Sequence, residues 1–405
     1  MAKFLMGWEL GDGLGHAARI KPLAQELQRR GHETLLVLRD LVQPAEILQD
    51  LQGTPRLQAP HWQHQTRGLP QPLASLPEIL LSQGWLLAAH ARALVEGWLA
   101  AIRLSGSQVL VADYAPSAVL AARIAGIPCA TMGIGFYMPP DTTPLPSIRP
   151  ELNIPTQRLL DTERLVLANA NAVLAAHGKP PLGRLHELYT GDRPLLCTWP
   201  ELDHYGRPES AAQGWFGPTF LADADKGERP AWPAGTGPRV FAYLKSGHPD
   251  HAAWLQALVD KGCRVICYLP EVAAGKPPPL RSPLLHYAAR PVSLGAVLPD
   301  SDLIVCHAGE ATLAQGLLAG VPLLLLPMQA EQAVMARVAA ARTGAAINAA
   351  ELPRPLPMAA TLGRLLDDGR MRENAVAFAA RYRGFSHAGQ TTRMVNEFEA
   401  LLSRS

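Results

Sequence analysis

Short apolar runs recur along this chain, and most are followed within a few residues by a stretch with helical periodicity. Lys3 to Trp8 is such a run; a glycine-rich turn follows, then a helix pattern from about His16 to Arg30 that Gly31-His32 ends, then the buried-strand run Thr34 to Leu38. Strand, turn, helix and strand in so few residues form the unit from which parallel sheets are wound, so the fold class is α/β. The alternation returns after a helical stretch around Leu86 to Leu104, with strands at Gln108 to Ala112 and Ile127 to Ala130 flanking a helix at Ser117 to Ala125. It restarts at Arg239 to Leu244 and continues through Arg264 to Tyr268, Asp302 to Cys306, Val321 to Leu326 and Ala345 to Ile347.

Between Pro194 and Pro238 the pattern becomes irregular, with Pro and Gly at 200, 217, 218, 233, 237 and 238. Such a stretch separates domains. The expected organisation is a Rossmann-like domain over 1–215, a linker over 216–238, a second Rossmann-like domain over 239–385 and a last helix, about His387 to Leu402, that packs back on the first domain. Two such domains facing each other would form a cleft at the carboxyl ends of their strands, where α/β sheets bind ligands.

Composition narrows the partners. Of 405 residues, 48% are hydrophobic and 18% charged, with a formal net charge of +2. That supplies apolar surface for real cores and no basic stripe for nucleic acid or anionic lipid. No apolar run approaches the roughly 20 residues of a transmembrane helix, and the N-terminus leaves no room for a signal peptide, so cytoplasmic residence is expected. The five cysteines, an odd number and scattered, read as reduced core thiols. No paired metal-ligand motif occurs, so no metal is expected.

The sharpest local feature is Cys306-His307-Ala308-Gly309-Glu310-Ala311-Thr312, which follows an apolar strand and opens a helix ending at Gly320. Free backbone N–H groups and the positive end of a helix dipole attract an anion, so a phosphate suits this turn. The whole segment Arg290 to Gly344 resembles the donor-binding signature of the UDP-glycosyltransferase superfamily, family GT1 with the GT-B fold. The likeness comprises the H-x-G-x-x-T turn at His307, Gly309 and Thr312, the G-V-P at Gly320 to Pro322, and the P-x-x-x-[DE]-Q at Pro327, Glu331 and Gln332. The resemblance implies that His307, Gly309, Glu310 and the Ala311–Thr312 backbone hold a nucleotide diphosphate. It further implies that Glu331 and Gln332 bond the donor sugar's hydroxyls and that the backbone of Val292 reads the base. Ser246, after the strand Arg239 to Leu244, falls where the family places another turn near the phosphates.

Two positions depart from the family pattern. The usual ribose-binding glutamate falls on Gln315, which can accept a hydrogen bond without carrying charge. The usual stacking aromatic is replaced by Ala289-Arg290-Pro291, so a guanidinium or proline face would serve, and the base stays open between uracil and thymine.

The first half is also similar to the family's opening, through Gly11-Asp12-Gly13-Leu14-Gly15-His16, Arg19, Pro22-Leu23-Ala24 and Arg30-Gly31-His32. Gly13 belongs to its glycine loop. An imidazole titrates near pH ~6.5 and can take a proton from an acceptor hydroxyl, the task of an inverting transfer, so His16 is the expected general base. Asp113, at the end of the strand Gln108 to Ala112, matches the carboxylate that supports this histidine in many members. By its residue type alone it is equally a helix cap, and Asp12 is a weaker candidate for the support. Acceptor contacts are expected from Trp62, Trp85, Phe136 and Tyr137, which would favour an apolar or aromatic acceptor. Trp85 read alone is also an ordinary core residue.

The resemblance thus implies a hexosyltransferase that moves a sugar from a UDP- or dTDP-linked co-substrate to a small-molecule hydroxyl, with no other cofactor. A nucleotide-sugar hydrolase and a non-catalytic sugar-nucleotide-binding protein stay open as alternatives.

Overall fold

The computed structural model describes residues 1–210, 214–220 and 227–404. The chain divides into two compact units, one of residues 1–219 and 386–405, the other of residues 220–385. The division falls inside the stretch read as a linker, part of which (221–226) lies outside the described residues.

In the first unit the order is β1 (Lys3–Trp8), α1 (Gly15–Arg29), β2 (Glu33–Leu38), β3 (Arg56–Gln58), α2 (Leu76–Leu80), α3 (Ala88–Ser105), β4 (Val109–Asp113), α4 (Pro116–Ala125), β5 (Cys129–Gly133), α5 (Thr156–Ala176), α6 (Glu187–Thr190) and β6 (Arg193–Leu196). The strands form one parallel sheet in the order β3-β2-β1-β4-β5-β6. Strands covered on both faces need continuous apolar sequence, and Val109 to Asp113 is buried at every position. Pro194 is tolerated because β6 lies at the sheet edge, where a missing N–H costs no ladder bond.

The second unit repeats the plan with β7 (Arg239–Tyr243), α7 (His251–Asp260), β8 (Arg264–Tyr268), α8 (Pro270–Ala273), β9 (Leu285–Tyr287), α9 (Leu294–Val297), β10 (Leu303–Cys306), α10 (Glu310–Leu318), β11 (Leu323–Leu325), α11 (Ala330–Thr343), β12 (Ala346–Asn348), α12 (Met358–Leu366) and α13 (Arg370–Arg381). Its parallel sheet runs β12-β11-β10-β7-β8-β9, the same winding as the first. In each sheet the strand order reverses once, between β1 and β4 and between β7 and β10. Ligands of open α/β sheets bind at such reversals, outside the carboxyl ends of the strands.

The final helix, α14 (His387–Leu401), returns to the first unit. Met394, Val395, Phe398 and Leu401 enter the core that β1, β4 and α1 build. Arg30 and His32 both reach Glu399, at 2.5 and 2.9 Å, and Arg193 pairs with Glu397 at 2.8 Å. All five cysteines are free and buried. Among the described residues no helix is long and apolar enough to cross a membrane.

Candidate active site

In the first unit the reversal point is set by register. Trp8, the last residue of β1, lies opposite Asp113, the last residue of β4. His16 follows in the first turn of α1, and its ring stacks on Trp8 with centroids 4.9 Å apart and planes 14° apart. Gly11 makes room for it: a Cβ there would sit 2.7 Å from His16 Nε2, and the backbone at φ +80° is left-handed. His16 Nδ1 lies 3.1 Å from Asp113 Oδ2, an ion-pair distance whose angle falls outside hydrogen-bond geometry. Such bonds are often loose before substrate binds.

Asp113 is wholly buried and has two further partners. Arg19, three residues along α1 and hence on the face of His16, places Nη1 2.9 and 2.8 Å from the two carboxylate oxygens. The same nitrogen donates to Tyr137 Oη at 2.7 Å, and that hydroxyl donates to Asp113 Oδ1 at 3.3 Å. Burial works to raise the Asp113 pKa. The charges of Arg19 and His16, with the Arg19 hydrogen bonds, outweigh it and hold the group below the usual carboxylate range. An ionised Asp113 facing Nδ1 favours the tautomer protonated there, which leaves the Nε2 lone pair to accept a proton.

A second buried carboxylate stands behind the first. Glu9, directly after β1, accepts from the Ser117 backbone N–H at 2.9 Å and from the Ser117 hydroxyl at 2.5 Å, satisfying the start of α4 just beyond Asp113. Burial raises its pKa from 4.5 to about 7 against the opposing hydrogen bonds and Arg39. Between those values the folded protein holds a proton that the unfolded chain has lost. Stability therefore falls as pH rises from about 4.5 to 7, at a cost on the order of 3 kcal/mol. Glu9→Gln is expected to remove that slope. Urea unfolding at pH 5 and pH 8 should show a larger loss for the wild type than for the variant; equal losses would exclude Glu9 as the source.

The acceptor-side expectations fare differently from one another. Trp85 is a correction: it is 0% exposed, and its indole N–H donates to Ser117 Oγ at 3.3 Å, so it packs in the core. Tyr137 has its hydroxyl engaged in the Asp113 cluster, and its ring stacks on Tyr114 at 4.5 Å. Phe136 is buried with its edge toward His204. Trp62 is half-buried between His64 and His90, at centroid distances of 4.9 and 4.8 Å. Gly13 is exposed with open space around it, and Asp12 faces Arg39 at 3.4 Å.

The second unit shows a matching arrangement at its own reversal. The turn after β10 carries Ala308 at φ +62°, an uncommon conformation for a residue with a side chain and one that concentrates at functional sites. Gly309 caps α10, and a Cβ there would meet nothing within 4 Å. Ala311 and Thr312 are half-buried in the first helical turn, and Glu310 is buried beside them. His307 corrects an expectation. Its Nδ1 donates to the Leu326 carbonyl at 2.6 Å and its Nε2 accepts from the Lys245 N–H at 2.7 Å. Burial, with the charges of His248, Lys245 and His251, lowers its pKa below the usual imidazole range. The ring brackets the ends of β7, β10 and β11, with both of its nitrogens engaged by the backbone.

Lys245, exposed beside this turn, is a residue that the sequence reading missed. Ser246 is exposed next to it and gives its N–H to Glu271 Oε1 at 3.2 Å. Gln315 folds its amide N–H onto the Ala311 carbonyl at 3.0 Å, leaving its oxygen to accept. Glu331 and Gln332 lie half-buried in the first turn of α11, where Gln332 Oε1 accepts the Met328 N–H at 2.9 Å. Val292 pairs with Glu228 through the flanking Pro291 carbonyl and Ser293 N–H, so the pairing leaves its own N–H and carbonyl untouched. Gly227 permits this approach, since a Cβ there would lie 2.4 Å from the Ser293 nitrogen.

No protein-family profile matches the chain, and no curated protein matches it. Solved structures do. The chain is similar to the glycosyltransferase of kitacinnamycin (TM-score 0.69, 20% identity, 99% of this chain and 98% of that one). It is also similar to the spinosyn rhamnosyltransferase SpnG (0.66, 18%, 98% and 100%) and to glycosyltransferase VinC in complex with dTDP (0.64, 19%, 100% and 100%). Likeness over the full length of both chains, with two parallel six-stranded sheets of one winding, gives the chain the α/β GT-B fold of these glycosyltransferases.

Proposed function

We propose that this protein is a metal-independent, inverting glycosyltransferase, carrying a sugar from a UDP- or dTDP-linked donor to a hydroxyl of a small apolar or aromatic acceptor. The observation that carries the reading is His16 Nδ1 at 3.1 Å from the buried Asp113, at the point where the first sheet reverses. In the reaction His16 Nε2 takes the acceptor hydroxyl's proton as the oxygen attacks the anomeric carbon. The bond from that carbon to the diphosphate oxygen breaks with its electron pair, and the diphosphate leaves. The N–H groups from Gly309 to Thr312, the α10 dipole and the Lys245 ammonium offset the charge that develops there. Val292 would read the base, Gln315 the ribose, and Glu331 and Gln332 the sugar.

Inversion is supported by the state of Asp113. Enclosed and held by Arg19, it is poorly placed to form a glycosyl-enzyme, and a base beside it suits a single displacement. The nucleotide choice is supported by VinC and SpnG, solved with dTDP and thymidine diphosphate, and the acceptor class by SpnG complexed with spinosyn aglycone.

Thermal unfolding with UDP, dTDP and their sugar conjugates tests the donor assignment. At 100 times Kd a nucleotide that binds only the folded protein should add about 2.7 kcal/mol of stability. No shift with any of them would overturn the reading. Free sugar released at the same rate with and without an acceptor would instead identify a hydrolase.

A further inference from the structure

The resemblance to known transferases accounts for a histidine and a carboxylate, but the first unit buries two more polar groups against that carboxylate. We propose that Arg19 and Tyr137 are positioning residues that hold Asp113 ionised and aimed at His16, so that the base works as a four-residue assembly. The proposal rests on the reading of His16 and Asp113 given above.

A guanidinium is rarely enclosed unless it is paired, and Arg19 is 5% exposed. Its Nη1 serves both oxygens of Asp113 and the Tyr137 hydroxyl, all within 2.9 Å. Without it Asp113 would be a buried carboxylate with only the Tyr137 hydroxyl and His16 beside it, and burying a carboxylate without a guanidinium partner favours its neutral form. A protonated Asp113 could no longer favour the Nδ1–H tautomer of His16.

Tyr137 fixes the same acid from a second side. Its hydroxyl donates to Oδ1, the oxygen that His16 does not face, while its ring stacks on Tyr114 with planes 8° apart. Tyr114 directly follows Asp113 and sits at φ +46°, a conformation that a bulky side chain holds only when its surroundings fix it. The sequence leaves a slot for that ring: a Cβ on Gly133 would come 2.1 Å from Tyr137 Cε2. One tyrosine thus restrains both the carboxylate and the peptide that carries it, and the residues concerned come from α1, β4 and the turn after β5.

The test reads the imidazole directly and needs no acceptor. In the full-length protein labelled with 15N-histidine, the His16 resonances, assigned by their loss in His16→Gln, should show the Nδ1–H tautomer. Asp113→Asn should lose it. Tyr137→Phe keeps the stacked ring, and Arg19→Lys keeps the charge without the planar reach. Each should convert a large part of the signal to mixed tautomers, with the cooperative thermal transition of Tyr137→Phe retained. Wild-type signals in both variants, with Asp113→Asn altered, would overturn the positioning role and leave the His16–Asp113 pair standing. A change in Arg19→Lys alone would overturn the part assigned to Tyr137. An unchanged signal in Asp113→Asn would overturn the pair itself.

Discussion

Replacing His16 with alanine is expected to lower the rate of sugar transfer by about 10²- to 10⁴-fold, the range that a positioned general base contributes. Nucleotide binding to the second unit should be unchanged in the same variant, because Trp8, Asp113 and Tyr137, the partners of His16, all belong to the first unit. Loss of the stack on Trp8 should cost about 1 kcal/mol beyond the area that the ring buries; the protein should fold, and its thermal response to UDP or dTDP should persist. That separation is what makes the variant informative. A merely structural histidine would lose melting temperature and activity together, and one that positioned a phosphate would lose the nucleotide response. The base loses rate alone. Near-normal transfer by His16→Ala would remove the assignment, whatever the fate of the donor site.

The strands at the centre of each sheet are visible in the sequence because both of their faces are covered, so an apolar run survives there. The edges are not. β3 and β9 have three residues each with partly exposed patterns, and β6 carries Pro194, so none offers the apolar run that marks a central strand. The 21-residue helix α5 also passes unread, since Ala and Asn fill its C-terminal half and its buried positions are few. At the candidate site, His16 and Asp113 can be picked out because one opens a helix after a glycine loop and the other ends a central strand. What Arg19 and Tyr137 do depends on contacts across 94 and 118 residues, and burial of an arginine leaves no mark on its neighbours in sequence. His307 shows the converse. Its motif is plain, yet its role turns on which atoms meet its two nitrogens, and those belong to Lys245 and Leu326. Trp85 shows that an aromatic residue near a helix reads alike whether it lines a pocket or fills a core.

A carboxylate placed at Gly309 should weaken nucleotide binding by about a hundredfold or more while leaving the fold intact. Gly309 has φ −63° and ψ 131°, open to any residue, and a Cβ there meets nothing within 4 Å, so Gly309→Glu introduces neither strain nor overlap. An acidic side chain at the start of a helix suits the dipole, so the variant should melt at or slightly above the wild-type temperature. The same charge would occupy the ground proposed for the diphosphate. Juxtaposed like charges cost several kcal/mol, and at about 1.4 kcal/mol per tenfold the Kd for UDP or dTDP should rise by about a hundredfold or more. Gly309→Ala adds a methyl group without charge and should change the Kd far less. Titration calorimetry of the three proteins with both nucleotides decides the matter. If Gly309→Glu bound them like the wild type, the anion would sit elsewhere, and the α10 amides and Lys245 would have no part in stabilising a departing diphosphate. If Gly309→Ala weakened binding as much as Gly309→Glu, space would be the cause and the electrostatic account of the turn would fail.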